Sequence, residues 1–215
     1  MRTCGLVGVA AVLVLALRVG LVRADPGTQA RPDRVAGLIR QLSDDSFARR
    51  EAASRELAAL GEPALAALRQ AAASSNDPEI RRRAERLVPA IVLRASRADQ
   101  KKLEGTWAEV SCEENGKPGP VHGGVLVITS GSSAFKNETG LVVLPHSWIW
   151  RVVDATVTPK RIDLYFSATP QVFQAIYELK GDTLRYCGSY TKRPADFATR
   201  EGDGRYRVTL TRVTE

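Results

Sequence analysis

Part-way along this chain the period of its apolar residues changes, and that change limits the folds open to it. Before residue 92 the spacing is helical. Val35, Leu38, Ile39 and Leu42 fall at i, i+3, i+4 and i+7, one face of a helix that Pro32 opens in its first turn. Ser43-Asp44-Asp45-Ser46 reads as a stop and a fresh cap. A second helix, Phe47 to Leu60, turns Phe47, Ala53, Leu57 and Leu60 inward and ends at Gly61. Pro63 restarts a third, presenting Leu65, Leu68 and Ala72. Asp77-Pro78-Glu79 then supplies a capping carboxylate, a proline at the first position and an acid in the first turn. The fourth helix turns in Ile80, Ala84, Leu87, Val88 and Ile91, with a kink or an interruption expected at Pro89.

After residue 102 the period is two. Thr106–Cys112, Val125–Thr129, Trp148–Val153, Arg161–Phe166, Val172–Leu179, Thr183–Ser189 and Tyr206–Val213 read as strands, with Leu141–Leu144 a further candidate. Asn115-Gly116 and Gly181-Asp182 supply turn chemistry, and Pro159-Lys160 breaks another pair. Segregated periods of this kind imply an α+β chain in two parts: a short helical stub, then an antiparallel barrel of about seven or eight strands. The expected division is a signal segment over 1–24, helices over 25–91, a polar connector over 92–102 and the β domain over 103–215.

The first 24 residues read as a targeting segment. Arg2 gives a positive start, Cys4 to Leu17 an apolar run, and Val22-Arg23-Ala24 a small-residue cleavage site. The run is shorter than the about 20 residues a bilayer span needs, so cleavage after Ala24 and export are expected, with no membrane span in the mature chain. Arg18 and Arg23, in a stretch that is normally neutral, keep a retained anchor open as the alternative. The net charge of +7 shrinks when located, because three of the arginines lie in the leader. Residues 25–98 hold 13 basic and 10 acidic side chains, and residues 99–215 hold 15 and 14. A balance so even and dispersed does not make a phosphate-tracking surface, and nucleic acid is not an expected partner.

The helical part repeats itself. At an offset of 31, Arg50 falls on Arg81, Ala53 on Ala84, Leu57 on Val88 and Leu60 on Ile91. This pattern resembles HEAT-type repeats. Such units need about three copies to bury a continuous core, so the stub is expected to lean on the following domain or on a protein partner. The β part carries its own ordered motifs: Leu103-Glu104-Gly105-Thr106-Trp107, Asn115-Gly116-Lys117-Pro118, Pro159 to Leu164, Ile176 to Leu184 with Cys187 after it, and Arg193 to Phe197. Together these resemble a lipocalin-like domain family of uncharacterised proteins secreted by planctomycete bacteria. The resemblance implies a fold and an address outside the cytoplasm, and no reaction. It also implies a closure. Lipocalin-like domains open on Gly-x-Trp, whose indole plugs one end of the barrel beneath an arginine from the last strand. Gly105-Thr106-Trp107 matches the first element, and alternation puts Arg212 on the face of Tyr206, Val208 and Leu210. Arg212 is thus expected over the Trp107 ring, with the first and last strands as neighbours.

Few residues suggest chemistry. His122 and His146 are not at metal-ligand spacing and read as loop histidines; no metal or cofactor is expected. Ser130-Gly131-Ser132-Ser133 lacks the Gly-x-Ser-x-Gly elbow and reads as a strand connection. Cys187 has Arg185 two residues away, a weak signal for an activated thiol. Asp154 and Asp163 could converge from neighbouring strands, whereas Glu113 and Glu114 beside the Asn115-Gly116 turn read as solvated. Arg81, Arg82, Arg83 and Arg86 form a basic helix face, with Glu79 in reach of Arg83; they are either solvated or meet an acidic partner. Trp148 and Trp150 share a strand face and either fill the barrel or line a ligand site. Cys112 and Cys187 form an even pair in an oxidising compartment, but alternation sends them to opposite sides of the wall, with Cys112 on the face of Ala108 and Val110.

No catalytic set emerges. The leading expectation is an exported, non-enzymatic binding protein whose helical stub contacts a protein partner. The runner-up is a carrier of a small apolar ligand inside the barrel, and a third reading is a hydrolase. A hollow barrel favours the carrier, a solid one the contact module, and a cleft of converging acids or a thiol–base pair the hydrolase.

Overall fold

A computed structural model describes residues 26–137, 148–166 and 170–214, with side chains of the first helix from Asp33 onward. The expected targeting segment, the Leu141–Leu144 strand candidate and His146 lie outside the described residues.

Four helices come first: α1 (Pro26–Arg40), α2 (Phe47–Leu60), α3 (Glu62–Ser74) and α4 (Pro78–Lys102), with a 3-10 turn over Gln41–Ser43. Their shared core centres on Leu42, Leu57, Leu68, Ala84 and Ile91. Asp77 caps α4 as its position implies, accepting from the Glu79 and Ile80 amides at 2.8 and 3.2 Å. The offset of 31 has a physical counterpart in two loop contacts. Arg50 reaches back to the Asp44 carbonyl at 2.7 Å, and Arg81 to the Ser75 carbonyl at 3.2 Å, six residues in each case. Arg83 is buried and ties α2 to α4 by bonding Glu51, Ser54 and Glu79. Arg82 is half-exposed on Glu79.

Two helical expectations are corrected. Pro32 lies inside α1, which begins at Pro26. Phe47 is 65% exposed; at the first position of α2 its ring lies outside the packed stripe, under the Arg50 guanidinium. α4 runs without interruption through Pro89 and through the whole of 92–102, so the polar connector is helical. In it Ser96, Asp99 and Gln100 stand at i, i+3 and i+4 and form one helical face. This face lies on the barrel.

The barrel comprises β1 (Gly105–Glu114), β2 (Lys117–Gly119), β3 (Val125–Thr129), β4 (Ser132–Lys136), β5 (Trp148–Asp154), β6 (Lys160–Phe166), β7 (Val172–Lys180), β8 (Thr183–Ser189) and β9 (Tyr206–Arg212). Every pairing is antiparallel. The order β1-β3-β4-β5-β6-β7-β8-β9 returns to β1 and closes an eight-stranded ring. β2 stands outside the ring, paired with the second half of β1 through a hairpin whose Asn115 and Gly116 both have positive φ, 50° and 76°. Among the described residues every strand of the ring therefore has a partner on both sides.

One end of the ring is solid. Trp107 is fully buried there, its Nε1 donating to the Leu103 carbonyl at 2.9 Å. Trp107 and Arg212 face each other in the β1–β9 register, and the guanidinium stands 4.2 Å from the ring centroid, as the Gly-x-Trp motif implied. Arg212 also donates to the Glu104 and Lys102 carbonyls at 2.7 and 2.8 Å, capping the end of α4. Gly105, at φ 137°, is required here because an added Cβ would run into Arg212 Nη1. Beneath this plug the face of α4 meets the β5–β6 turn. Ser96 Oγ accepts from the Ala155 amide at 3.2 Å, and Gln100 Oε1 accepts from the Val152 amide at 2.8 Å. Asp99 is buried and accepts from Lys160 Nζ, Lys102 Nζ and the Tyr177 hydroxyl. From α3, Arg69 Nη2 donates to Thr156 Oγ1 at 3.0 Å. The stub therefore leans on its own barrel. Among the described residues no helix is long and apolar enough to cross a membrane.

Candidate functional site

The other end of the ring is hollow. A cavity of about 490 Å³ opens where β1 finishes and β5, β7 and β9 begin. Its size is that of ordinary small-molecule sites.

A local irregularity in β1 builds its polar part. The β1–β9 register shifts between Glu109 and Ser111, so Val110 bulges out and is 56% exposed. The bulge exchanges the faces. Trp107 and Glu109 point inward before it, Cys112 and Glu114 after it, and all but Trp107 line the cavity. Of the face shared by Ala108, Val110 and Cys112, the first two are thus corrected to the outside, because strict alternation fails at the bulge, while Cys112 does point inward. The two thiols lie on opposite sides of the wall as expected. Cys112 faces the cavity, while Cys187 is buried on the outer side among Asp196, Asp203, Arg205 and Arg207, and both are free.

The walls are aromatic. Trp150 meets Tyr186 edge to face at 5.3 Å, and its Nε1 donates to Ser133 Oγ at 2.8 Å. Phe173 touches Trp148, Tyr190 and Tyr206 at centroid distances of 6.4, 5.1 and 6.2 Å. Gly188 makes room for that ring, since a Cβ there would collide with it. Trp148 and Trp150 therefore line the space rather than fill it.

Two carboxylates face the same space. Glu109 is nearly buried and lies 3.3 Å from both the backbone nitrogen and Nδ1 of His122. Glu114 accepts from the Tyr206 hydroxyl at 2.6 Å. That bond, with burial, pushes the Tyr206 phenol up to about 12. Burial, then the Glu109, Glu114 and Glu113 carboxylates, hold the Cys112 thiol above its usual range. It is neutral at physiological pH and a poor nucleophile. Burial pushes Cys187 up to about 11, and Arg185 is engaged with Glu178 and the Phe197 ring.

The remaining sequence candidates disperse. Asp163 binds Arg193 on the outer face, whereas Asp154 bonds Thr156 and faces Arg69. Glu113 accepts from Arg207 and Thr199, so neither Glu113 nor Glu114 is simply solvated as the exposed turn beside them suggests: their side chains fold back onto β9 and the loop that precedes it. Ser130 and Gly131 make the β3–β4 turn. Among the described residues no three His, Cys, Asp or Glu side chains gather as a metal site. Glu109 went unnoticed in the sequence, because its inward position becomes visible only with the pairing register. Comparison of the chain with protein-family models, with curated proteins and with solved structures found no match.

Proposed function

We propose that this protein is an exported carrier that holds a small, largely apolar ligand inside its barrel, with the helical part serving as a base rather than as the binding element. The cavity carries this reading. It is a chamber of about 490 Å³, walled by aromatic side chains and carrying a small number of polar groups, which is the composition of ligand sites generally. The helices lend little to the alternative of a protein-contact stub, because α4 already spends its polar face on the barrel. The Gly105–Trp107–Arg212 closure supports grouping the β part with secreted lipocalin-like domains, and the paired loop contacts of Arg50 and Arg81 support the repeat reading of the helices. The apolar leader supports export. Protein isolated from its native host should begin at Asp25; a membrane-held chain that retains Met1 would speak for an anchor.

Binding is testable with an uncharged apolar fluorophore such as N-phenyl-1-naphthylamine. Trp148 and Trp150 stand in the cavity wall, so binding should quench their emission and sensitise the probe, with a Kd near or below about 10 μM, ordinary for such sites. Leu126→Trp puts an indole into the cavity and should weaken binding at least about tenfold. A probe that does not bind, or binds equally well to Leu126→Trp, rules out the barrel interior as the site.

A further inference from the structure

We infer that the ligand is a small organic cation, an amine or quaternary ammonium group carried on an apolar body. This rests on the barrel interior being the ligand site and adds the charge of what enters it. Among the described residues lining the cavity, the charged side chains are Glu109 and Glu114, and none is Lys or Arg. The nearby basic groups turn elsewhere. Arg207 pairs with Glu113, Arg193 with Asp163, and Arg185 with Glu178. His122 meets Glu109 from the mouth, with its own side chain 65% exposed. Two carboxylates in an apolar chamber are costly to leave without a counter-charge, and each has acceptor sites beyond the bonds it makes here.

The walls suit the same guest. An ammonium group is attracted to aromatic faces, more strongly when water is excluded, and this chamber presents Trp148, Trp150, Phe173, Tyr186, Tyr190 and Tyr206. Tyr186 and Cys112 are both pushed upward, by burial first and by Glu109 next. A hydrated metal ion fits poorly, because aromatic walls offer no ligands and no group of three donor side chains converges among the described residues. An organic cation answers both the charge and the walls.

The test uses three compounds on one skeleton: 4-phenylbutylamine, 4-phenylbutan-1-ol and 4-phenylbutanoate. Each is titrated into the full chain, following tryptophan emission and heat. The amine should bind at least about tenfold more tightly than the alcohol, and the carboxylate most weakly. In the double variant Glu109→Gln/Glu114→Gln the amine's advantage over the alcohol should fall to within about threefold, while a near-ultraviolet circular dichroism spectrum like that of the native chain reports a folded barrel. Equal binding of amine and alcohol to the native chain overturns the cation inference and leaves the carrier reading standing. An amine preference undiminished in the double variant overturns it too. If none of the three binds at millimolar concentration, the carrier reading falls and the inference with it.

Discussion

Replacing Asp99 by alanine should lower the unfolding free energy by about 3 kcal/mol, although the residue lies far from the cavity. Asp99 is 3% exposed and joins the two parts of the molecule. Its oxygens accept from Lys160 Nζ at 2.9 and 3.0 Å, from Lys102 Nζ at 3.0 Å and from the Tyr177 hydroxyl. The three donors would fare differently without it. Lys102 is well exposed and Lys160 partly so, and both ammonium groups can turn to water. Tyr177 is 1% exposed and cannot, so its hydroxyl would be left unsatisfied, at about 1–3 kcal/mol. Loss of the charge-assisted bonds supplies the rest. Tyr177→Phe, which removes the donor and leaves the lysines, should cost distinctly less than Asp99→Ala.

The same carboxylate gives a pH signature. Burial pushes the Asp99 carboxyl up, but Tyr177, Lys160 and Lys102 together outweigh it and hold the group below its ordinary value. A depressed folded-state value stabilises the protein above the unfolded value, about 3.9, and that stability is lost as pH falls through the folded value. The stability difference between the native chain and Asp99→Ala, measured by urea unfolding, should be flat from about pH 5 to pH 8 and shrink below about pH 4. A difference under about 1 kcal/mol at neutral pH, or one that persists undiminished into strong acid, would show that Asp99 is not the joint.

Asp99 also marks where reading by apolar period stops. The helices α1 to α4 and seven of the nine strands follow from that period because their buried faces are hydrophobic. The α4–barrel joint is built from Ser96, Asp99 and Gln100, which have the right spacing and no hydrophobicity. That polar stripe stands at i, i+3 and i+4, with the buried Leu103 at i+7, so its helical spacing is legible in the sequence although its apolarity is not. β4 was missed for a related reason: Ser132-Ser133-Ala134-Phe135-Lys136 has no β-branched residue to mark it. The cavity was half-visible. Trp148 and Trp150 announced a shared face, but whether that face is filled depends on residues from most of the ring. Glu109, Cys112 and Glu114 share the interior only because one unpaired residue at Val110 resets the alternation, and the sequence there contains no glycine or proline to signal a bulge.

Where a local motif and a global constraint coincide, the sequence reaches further, and the strongest test lies there. Trp107→Ala should destabilise the protein by about 4 kcal/mol. The indole is fully buried and seals the end of the ring nearest α4. Its removal opens a cavity, strips the Leu103 carbonyl of its donor and takes the stacked ring from the face of the Arg212 guanidinium. Part of the loss belongs to the stacked pair. Arg212→Ala should cost about 2 kcal/mol, since two carbonyls at the end of α4 lose their cap as well. Arg212→Lys keeps the charge but not the planar fork, and should recover less than half of that loss. The double variant should fall short of the sum of the singles by about 1 kcal/mol, the coupling expected of a partly shielded cation over an indole. The cavity opens at the opposite end, so Trp107→Ala, while folded, should bind N-phenyl-1-naphthylamine within about threefold of the native chain. Strict additivity of the two losses would mean that guanidinium and ring are neighbours without being partners. A loss below about 1 kcal/mol for Trp107→Ala would mean that the barrel is held shut by its strand pairing alone.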